Sequence, residues 1–255
     1  MADTETLIRD IVAAHPGTIE VFEQFGIDYC CHGALSLAEA CRLADVDVNL
    51  VLERLAEIVT TVPSEEAPHW ERASLRQIIG FIIHHHHEYT RRAIQAIRRG
   101  LSEVRAEHES AYPELAAVAS IFNRLSQETL FHLAKEESGL FPRIEQLEMA
   151  SRGERPAAAA APGRAGEHST IRVMMEDHDA AGAMVAEIRR LTGGYAPPAQ
   201  AGAAHRRLYR ELAEFERDLH RHVHLENNVL FPRALELERK LAEHRAASER
   251  LPLVG

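Results

Sequence analysis

From Leu75 onward apolar residues recur through Ile79, Ile83, Ile94, Ile97 and Leu101, a spacing that only an α-helix uses. A second long pattern of this kind runs from about Pro113 to Glu148, a third from about Ser169 to Leu191 and a fourth from about Pro198 to His244, the last two separated by TGGYAPP. One apolar stripe per helix can be buried only around a shared centre, so the four predict an antiparallel four-helix bundle. Ahead of them, LIRDIVAAH, IEVFEQF, LSLAEACRLA and VNLVLERLAEIV alternate with turn signals, which predicts a small N-terminal helical domain. The expected boundaries are residues 1–62 for that domain and 72–248 for the bundle. TVPSEEAPHW, with Pro63 and Pro68, supplies a linker at 63–71, and SRGERPAAAAAPGRAG, from Ser151 to Gly166, reads as a flexible surface crossover. Strand signals are absent and the fold class is all-α.

The bundle repeats itself. HLAKEESGLFPRIEQLE, from His132, and HVHLENNVLFPRALELE, from His222, share His, Glu, Leu, Phe, Pro, Arg, Leu and Glu at matching places. His132 and His222 stand ninety positions apart, as do Phe141 and Phe231. Pro142 and Pro232 recur at one place inside helical patterns, where a kink or a fresh first turn absorbs them, so a shaped bend is expected.

Within each repeat a histidine precedes a glutamate by four residues: His132 with Glu136, and His222 with Glu226. Residues so spaced lie about 40° apart on a helix, one turn above each other, and both reach one point. A single such pair is usually a surface feature; two copies at one place in an internal repeat are not. The preceding helix of each half then owes a matching ligand. His178 lies 44 positions before His222, and 45 before His132 lies His87, the last of four consecutive histidines. His87 falls on the stripe of Ile79 and Ile83, with His86 and His84 as rivals; His84 suits a supporting position and His85 points to water. By the same arithmetic His220 and His224 read as solvated. His15, His32, His69, His108, His168, His205 and His244 show no partner pattern and receive no role.

Four imidazoles and two carboxylates facing inward are costly to bury empty, and a metal centre resolves that cost. Glu136 and Glu226 can each bridge, so two metals would each hold two His nitrogens and two carboxylate oxygens, leaving positions for an oxo or hydroxo bridge and an outside ligand. With no thiolate in the set, Cu(I) and iron–sulfur binding are disfavoured. Iron leads, with manganese and zinc left open.

Composition narrows the partners. The chain has 255 residues, is 45% hydrophobic and carries a formal charge of −10, which argues against nucleic acid or an anionic membrane surface as the main partner. The pairs Arg91, Arg92 and Arg98, Arg99 read as solvated helix faces. The best apolar run, Ile78 to Ile83, is far too short to span a bilayer, and MADTETLIRD has no secretory pattern, so a cytoplasmic location is expected. Three cysteines, two of them adjacent, do not make a disulfide framework. Adjacent Cys30 and Cys31 would close a strained ring if oxidised, which leaves redox, metal-handling or partner-docking roles open, beside two buried small residues in a turn. Cys41 reads as core.

HLAKEESGLFPR and HVHLENNVLFPRA, with His178 and His87, resemble the hemerythrin-like di-iron bundle, and GIDYCCHG, from Gly26 to Gly33, resembles the cysteine-pair domain of the iron–sulfur cluster repair di-iron proteins. The resemblance covers nearly the whole chain. It implies two iron ions with His87, His132, His178 and His222 as terminal ligands and Glu136 and Glu226 as bridges. It implies repair of clusters damaged by nitric oxide or oxidants, by delivery of iron, with damaged iron–sulfur proteins as partners and NO or O2 as small ligands. The chain departs from the family pattern at His32, where glycine is usual, and in an enlarged crossover. Alternatives are a di-iron nitric oxide reductase and an O2 or NO carrier or sensor, the last disfavoured because a carrier needs no cysteine-pair domain. A homodimer is compatible with the chain.

Overall fold

The computed structural model describes residues 2–61, 70, 72–108, 112–154 and 166–249. Most of the expected linker and crossover lies outside them. The N-terminal part packs four helices, α1 Ile8–Ala14, α2 Ile19–Phe25, α3 Leu37–Leu43 and α4 Val48–Thr61, with a 3₁₀ turn at Pro16–Thr18. Helix α2 stops because Gly26 turns left-handed at φ 66°, a conformation that suits glycine. Ser36 starts α3 with a reciprocal capping box to Glu39. No strand forms among the described residues; one isolated bridge pairs Leu7 with Ser36.

The bundle consists of four rods. The first is α5 Leu75–Phe81, a π turn Ile82–His87 and α6 Glu88–His108. The second is α7 Glu114–Lys135, a π turn Glu136–Leu140 and α8 Phe141–Ser151. The third is α9 Gly166–Leu191, and the fourth is α10 Ala203–Leu225, a π turn Glu226–Leu230 and α11 Phe231–Glu249. Helix α6 packs on α7 and α10, and α9 on α7 and α10, while the start of the first rod meets the end of the second through α5 and α8. Neighbouring rods therefore run antiparallel, as expected.

The prolines are absorbed as the sequence suggests and with one addition. Pro142 sits in the first turn of α8, where its missing N–H costs no helical bond. The turn ahead of it is π rather than α, and such wide turns gather at functional sites. Apolar packing is continuous from the N-terminal part into the bundle: Phe22, Tyr29, Leu37 and Leu55 belong to the same cluster as Ile94, Phe122, Leu212 and Phe215. At the bundle end, Glu148 of α8 accepts the first backbone N–H groups of α5, Leu75 at 2.9 Å and Arg76 at 3.1 Å, satisfying donors that a helix start leaves open.

Candidate metal centre

Three of the four rods widen into a π turn at the level of the repeated motif. His132 and His222 end their α segments, and Glu136 and Glu226 open the π turns that follow. In the first rod the π turn is the histidine run itself, and it swings both His86 and His87 inward. His87, Glu136 and Glu226 are fully buried, and His132, His178 and His222 nearly so.

The six side chains form two sets that share both carboxylates. His87 Nε2 and His222 Nε2 are 3.2 Å apart, and His178 Nε2 and His132 Nε2 are 3.0 Å apart. Glu136 turns Oε1 to His132 at 3.2 Å and Oε2 to His87 at 3.5 Å. Glu226 turns Oε1 to His222 at 3.0 Å and Oε2 to His178 at 3.1 Å. Each glutamate thus presents one oxygen to each histidine pair. The donor atoms of His87, Glu136, His222 and Glu226 lie within 4.8 Å of one another, as do those of His132, Glu136, His178 and Glu226.

This arrangement fits a pair of metal ions. Among the described residues, both oxygens of Glu136 and Oε2 of Glu226 are buried without a hydrogen bond, a cost that bound cations would remove. Two donors each about 2.1 Å from one ion and at right angles stand about 3.0 Å apart, close to the observed imidazole spacing. The all-nitrogen and oxygen donor set suits iron, manganese or zinc.

The outward ring nitrogens settle which face of each imidazole is free. His87 Nδ1 donates to Glu137 Oε1 at 2.7 Å, which also accepts from Arg91 at 2.8 Å. His132 Nδ1 donates to Asp177 Oδ2 at 3.2 Å, an oxygen shared with Lys135. His178 Nδ1 donates to Asn227 Oδ1 at 2.9 Å. Such bonds place the proton on Nδ1 and leave the Nε2 lone pair directed at the centre. His222 is held differently, by the His86 ring stacked at 5.5 Å and 5°, with His86 Nδ1 on Asp218 at 3.0 Å.

Electrostatics divide the carboxylates. Burial, then the charge of Glu226, pushes the Glu136 carboxyl up. Burial acts on Glu226 too, but His222 and His178 hold it well below the usual range. Burial and the neighbouring His222 lower His87 to about 4, whereas His132, despite burial, is raised to about 9 by Glu136 and Glu226. Glu137 stays low against its partial burial because His87 and Arg91 hold it.

Several sequence expectations need correction. His84 is exposed and pairs with Glu88, so it supports nothing at the centre; His86 does that instead. His224 is buried, not solvated, because the N-terminal part covers it: its Nδ1 lies 3.4 Å from the Tyr29 carbonyl and its ring meets that of Tyr29. His220 is half-buried, with its ring on the edge of Tyr29. Arg91 is no idle surface charge, since it fixes Glu137. Glu137, Asp177 and Asn227 were missed as supports because they reach the histidines from neighbouring rods.

Cys30 and Cys31 sit in the turn Asp28 organises. Asp28 Oδ1 accepts from the backbone N–H groups of Cys30 at 3.0 Å and Cys31 at 2.8 Å, and lies 3.2 Å from Cys30 Sγ. Both thiols are free, Cys30 buried and Cys31 half-buried. Asn227 and Asn228 each donate to the Cys30 carbonyl, at 3.3 and 3.0 Å. The paired asparagines therefore fasten the cysteine turn to the bundle, and Asn227 also holds His178. A cavity of about 180 Å³ reaches the centre from the side, lined by Thr129, Phe131, His132, His178, Leu219 and His222.

Residues 79–234 match the hemerythrin family, described as the hemerythrin HHE cation binding domain, and residues 4–59 match ScdA_N, described as a domain of unknown function. The chain is 34% identical over 235 residues to the iron-sulfur cluster repair protein YtfE of Musicola paradisiaca, covering 91% of this chain and 96% of that one. It is 36% identical over 239 residues to YtfE of Pectobacterium atrosepticum, covering 92% and 99%. With the iron-sulfur cluster repair protein ScdA of Staphylococcus haemolyticus it shares 29% over 239 residues, covering 91% and 98%.

Proposed function

This chain belongs to the hemerythrin HHE cation-binding family, among the iron–sulfur cluster repair proteins, and on that premise we infer that it restores damaged iron–sulfur clusters by donating iron stored between Glu136 and Glu226. The observation that carries the reading is the sharing of both carboxylates, each with one oxygen toward His87 and His222 or their counterparts His132 and His178. Iron is here the cargo. His87, His222, His132 and His178 bind it, and the two glutamates bridge it.

Release needs replacement of positive charge in a buried site, and the residues provide for that. Glu136, whose carboxyl burial pushes up, takes a proton as its ion leaves. With Glu136 neutral, the charge of Glu226 is what favours a second proton on His132 Nε2 against burial. Glu226 stays ionised between His222 and His178. The emptied centre thus keeps one ionised carboxylate, Glu226, balanced by protonated His132, rather than two bare carboxylates.

The cysteine turn lies on the side of His178, and its bonds to Asn227 and Asn228 support a role in meeting the damaged protein. Nitric oxide and oxidants are the damage for which such iron is needed. A second reading, consumption of nitric oxide at the same centre, is favoured by the cavity beside His132, His178 and His222, which gives a small ligand a way to the centre. The metal pair would then supply redox chemistry. Among the described residues no helix is long and apolar enough to cross a membrane.

The test is anaerobic reactivation of a nitric-oxide-damaged iron–sulfur dehydratase by the iron-loaded protein, with a chelator present to capture free iron. Recovery that requires His222 and Glu226 supports donation. No recovery, with iron retained and nitric oxide consumed, moves the function to the second reading.

A further inference from the structure

Among the described residues, one other group of side chains away from the bundle centre has the spacing of a metal site: Asp28, Cys30 and Cys31, whose donor atoms lie within 4.8 Å of one another. We propose that this turn is a second metal site, taking a thiophilic divalent cation such as Fe(II) or Zn(II), and that it is the station through which donated iron passes. The station role rests on the repair reading; the binding of an ion does not.

The sulfur spacing separates this use from a redox one. Cys30 Sγ and Cys31 Sγ are 3.7 Å apart. Two thiolates each about 2.3 Å from a tetrahedral ion stand about 3.7 to 3.8 Å apart, so one ion fits with little movement. A disulfide needs a separation of about 2.05 Å and a strained ring between adjacent residues, so the turn would have to be rebuilt. The third donor is in place, with Asp28 Oδ1 at 3.2 Å from Cys30 Sγ. A cavity of about 230 Å³ adjoins the turn, lined by Asp28, Cys30, Cys31, Glu216 and His220 among others, and leaves room for a fourth ligand supplied by water or by a client.

Asp28 also organises the turn through the two backbone N–H groups, and a turn alone would need that. It would not need two thiols: Cys31 Sγ faces Cys30 Sγ while half-exposed, so an ion could arrive or depart on its side. The chemistry balances simply. The cation binds as both thiol protons leave to solvent, with no electron transferred. Its place also suits a transfer point. The Cys30 carbonyl accepts from Asn227, which holds His178 at the bundle centre, so the two sites share a residue at their boundary.

The experiment titrates Co(II), a spectroscopic stand-in for Fe(II), into the full-length, iron-loaded protein without oxygen. One equivalent should give intense thiolate-to-cobalt charge-transfer absorption, which an all nitrogen and oxygen site cannot produce. The band should vanish in Cys30→Ser and Cys31→Ser, which preserve the size of the turn, and Asp28→Asn should weaken binding at least tenfold. No band at one equivalent, or a band that persists in both serine variants, overturns the site. Client reactivation is scored separately with the same proteins. A band without reactivation would sink the repair reading and keep the ion site; reactivation without a band would do the reverse. Serine variants that lose the band yet reactivate clients fully overturn the station role.

Discussion

Asn227 stands to His178 as Glu137 stands to His87. Each follows the glutamate shared between the two histidine pairs in its own repeat, and each accepts the Nδ1 proton of the inward histidine on the preceding rod, at 2.9 and 2.7 Å. The two halves then differ in charge. Glu137 is a carboxylate paired with Arg91, whereas Asn227 is a neutral amide whose other end donates to the Cys30 carbonyl. The symmetry of the ligands thus conceals an asymmetry in what holds them.

That asymmetry makes Asn227 a positioning residue whose loss affects one ion. Asn227→Ala should speed release of the ion at His132 and His178 to an external chelator by about 10–100-fold, the usual effect of removing a ligand's outer partner. Asn227→Asp, which places a carboxylate on His178 as Glu137 does on His87, should slow it. Stopped-flow chelation followed by anomalous scattering on the partly emptied protein identifies the ion that leaves. Equal loss from both positions in Asn227→Ala would defeat this assignment.

Glu137 is the matching test in the other half. Helical spacing alone puts it about 140° from the His132 face, which predicts no effect on metal content. The structure reverses this, because Glu137 crosses to the first rod and fixes His87. Glu137→Ala should lower affinity at the His87 and His222 position about 10–100-fold, and Arg91→Ala should do so less. Iron per chain after dialysis against a graded chelator series measures it.

These two residues mark where sequence reading succeeds and stops. His132 with Glu136 and His222 with Glu226 lie just where α segments give way to π turns, so α-helical arithmetic holds for them. It loses phase inside the first-rod π turn, which brings in His86 next to His87 and leaves His84 outside. His224 lies on the outer face of its helix, and only the covering N-terminal part buries it. Contact between parts of a chain leaves no periodicity to read. The doubled asparagine was the available signal, since two amides in a helix ask for backbone partners, and those partners are the carbonyls of Tyr29 and Cys30.

The same docking explains Gly33. A Cβ there would lie 2.1 Å from Asn228 Oδ1, and Asn228 cannot turn aside without giving up its bonds to Tyr29 and Cys30. Gly33→Ala should therefore destabilise by about 1–3 kcal/mol and raise proteolysis in the N-terminal part. In an Asn228→Ala background the added cost should be smaller, because the clashing amide is gone. Denaturant unfolding of the four proteins of this cycle gives the coupling; strictly additive effects would show that the two residues act independently.

The bridging assignment makes a sharper demand than the terminal ligands do. Loss of a terminal histidine leaves the other set with all its donors, but Glu226 gives Oε1 to the His222 side and Oε2 to the His178 side. Glu226→Ala should thus deplete iron from both positions, while His178→Ala depletes mainly its own. Stability separates this from general unfolding. An ion bound only by the native state adds about 4 kcal/mol when its free concentration is a thousand times Kd, so chelation should lower the Tm of the unaltered protein by several degrees. The Glu226→Ala protein, with little metal to lose, should melt at nearly the same temperature with and without chelator, and should also be relieved of a buried carboxylate. Full iron content in that variant would mean that Glu226 does not join the two positions.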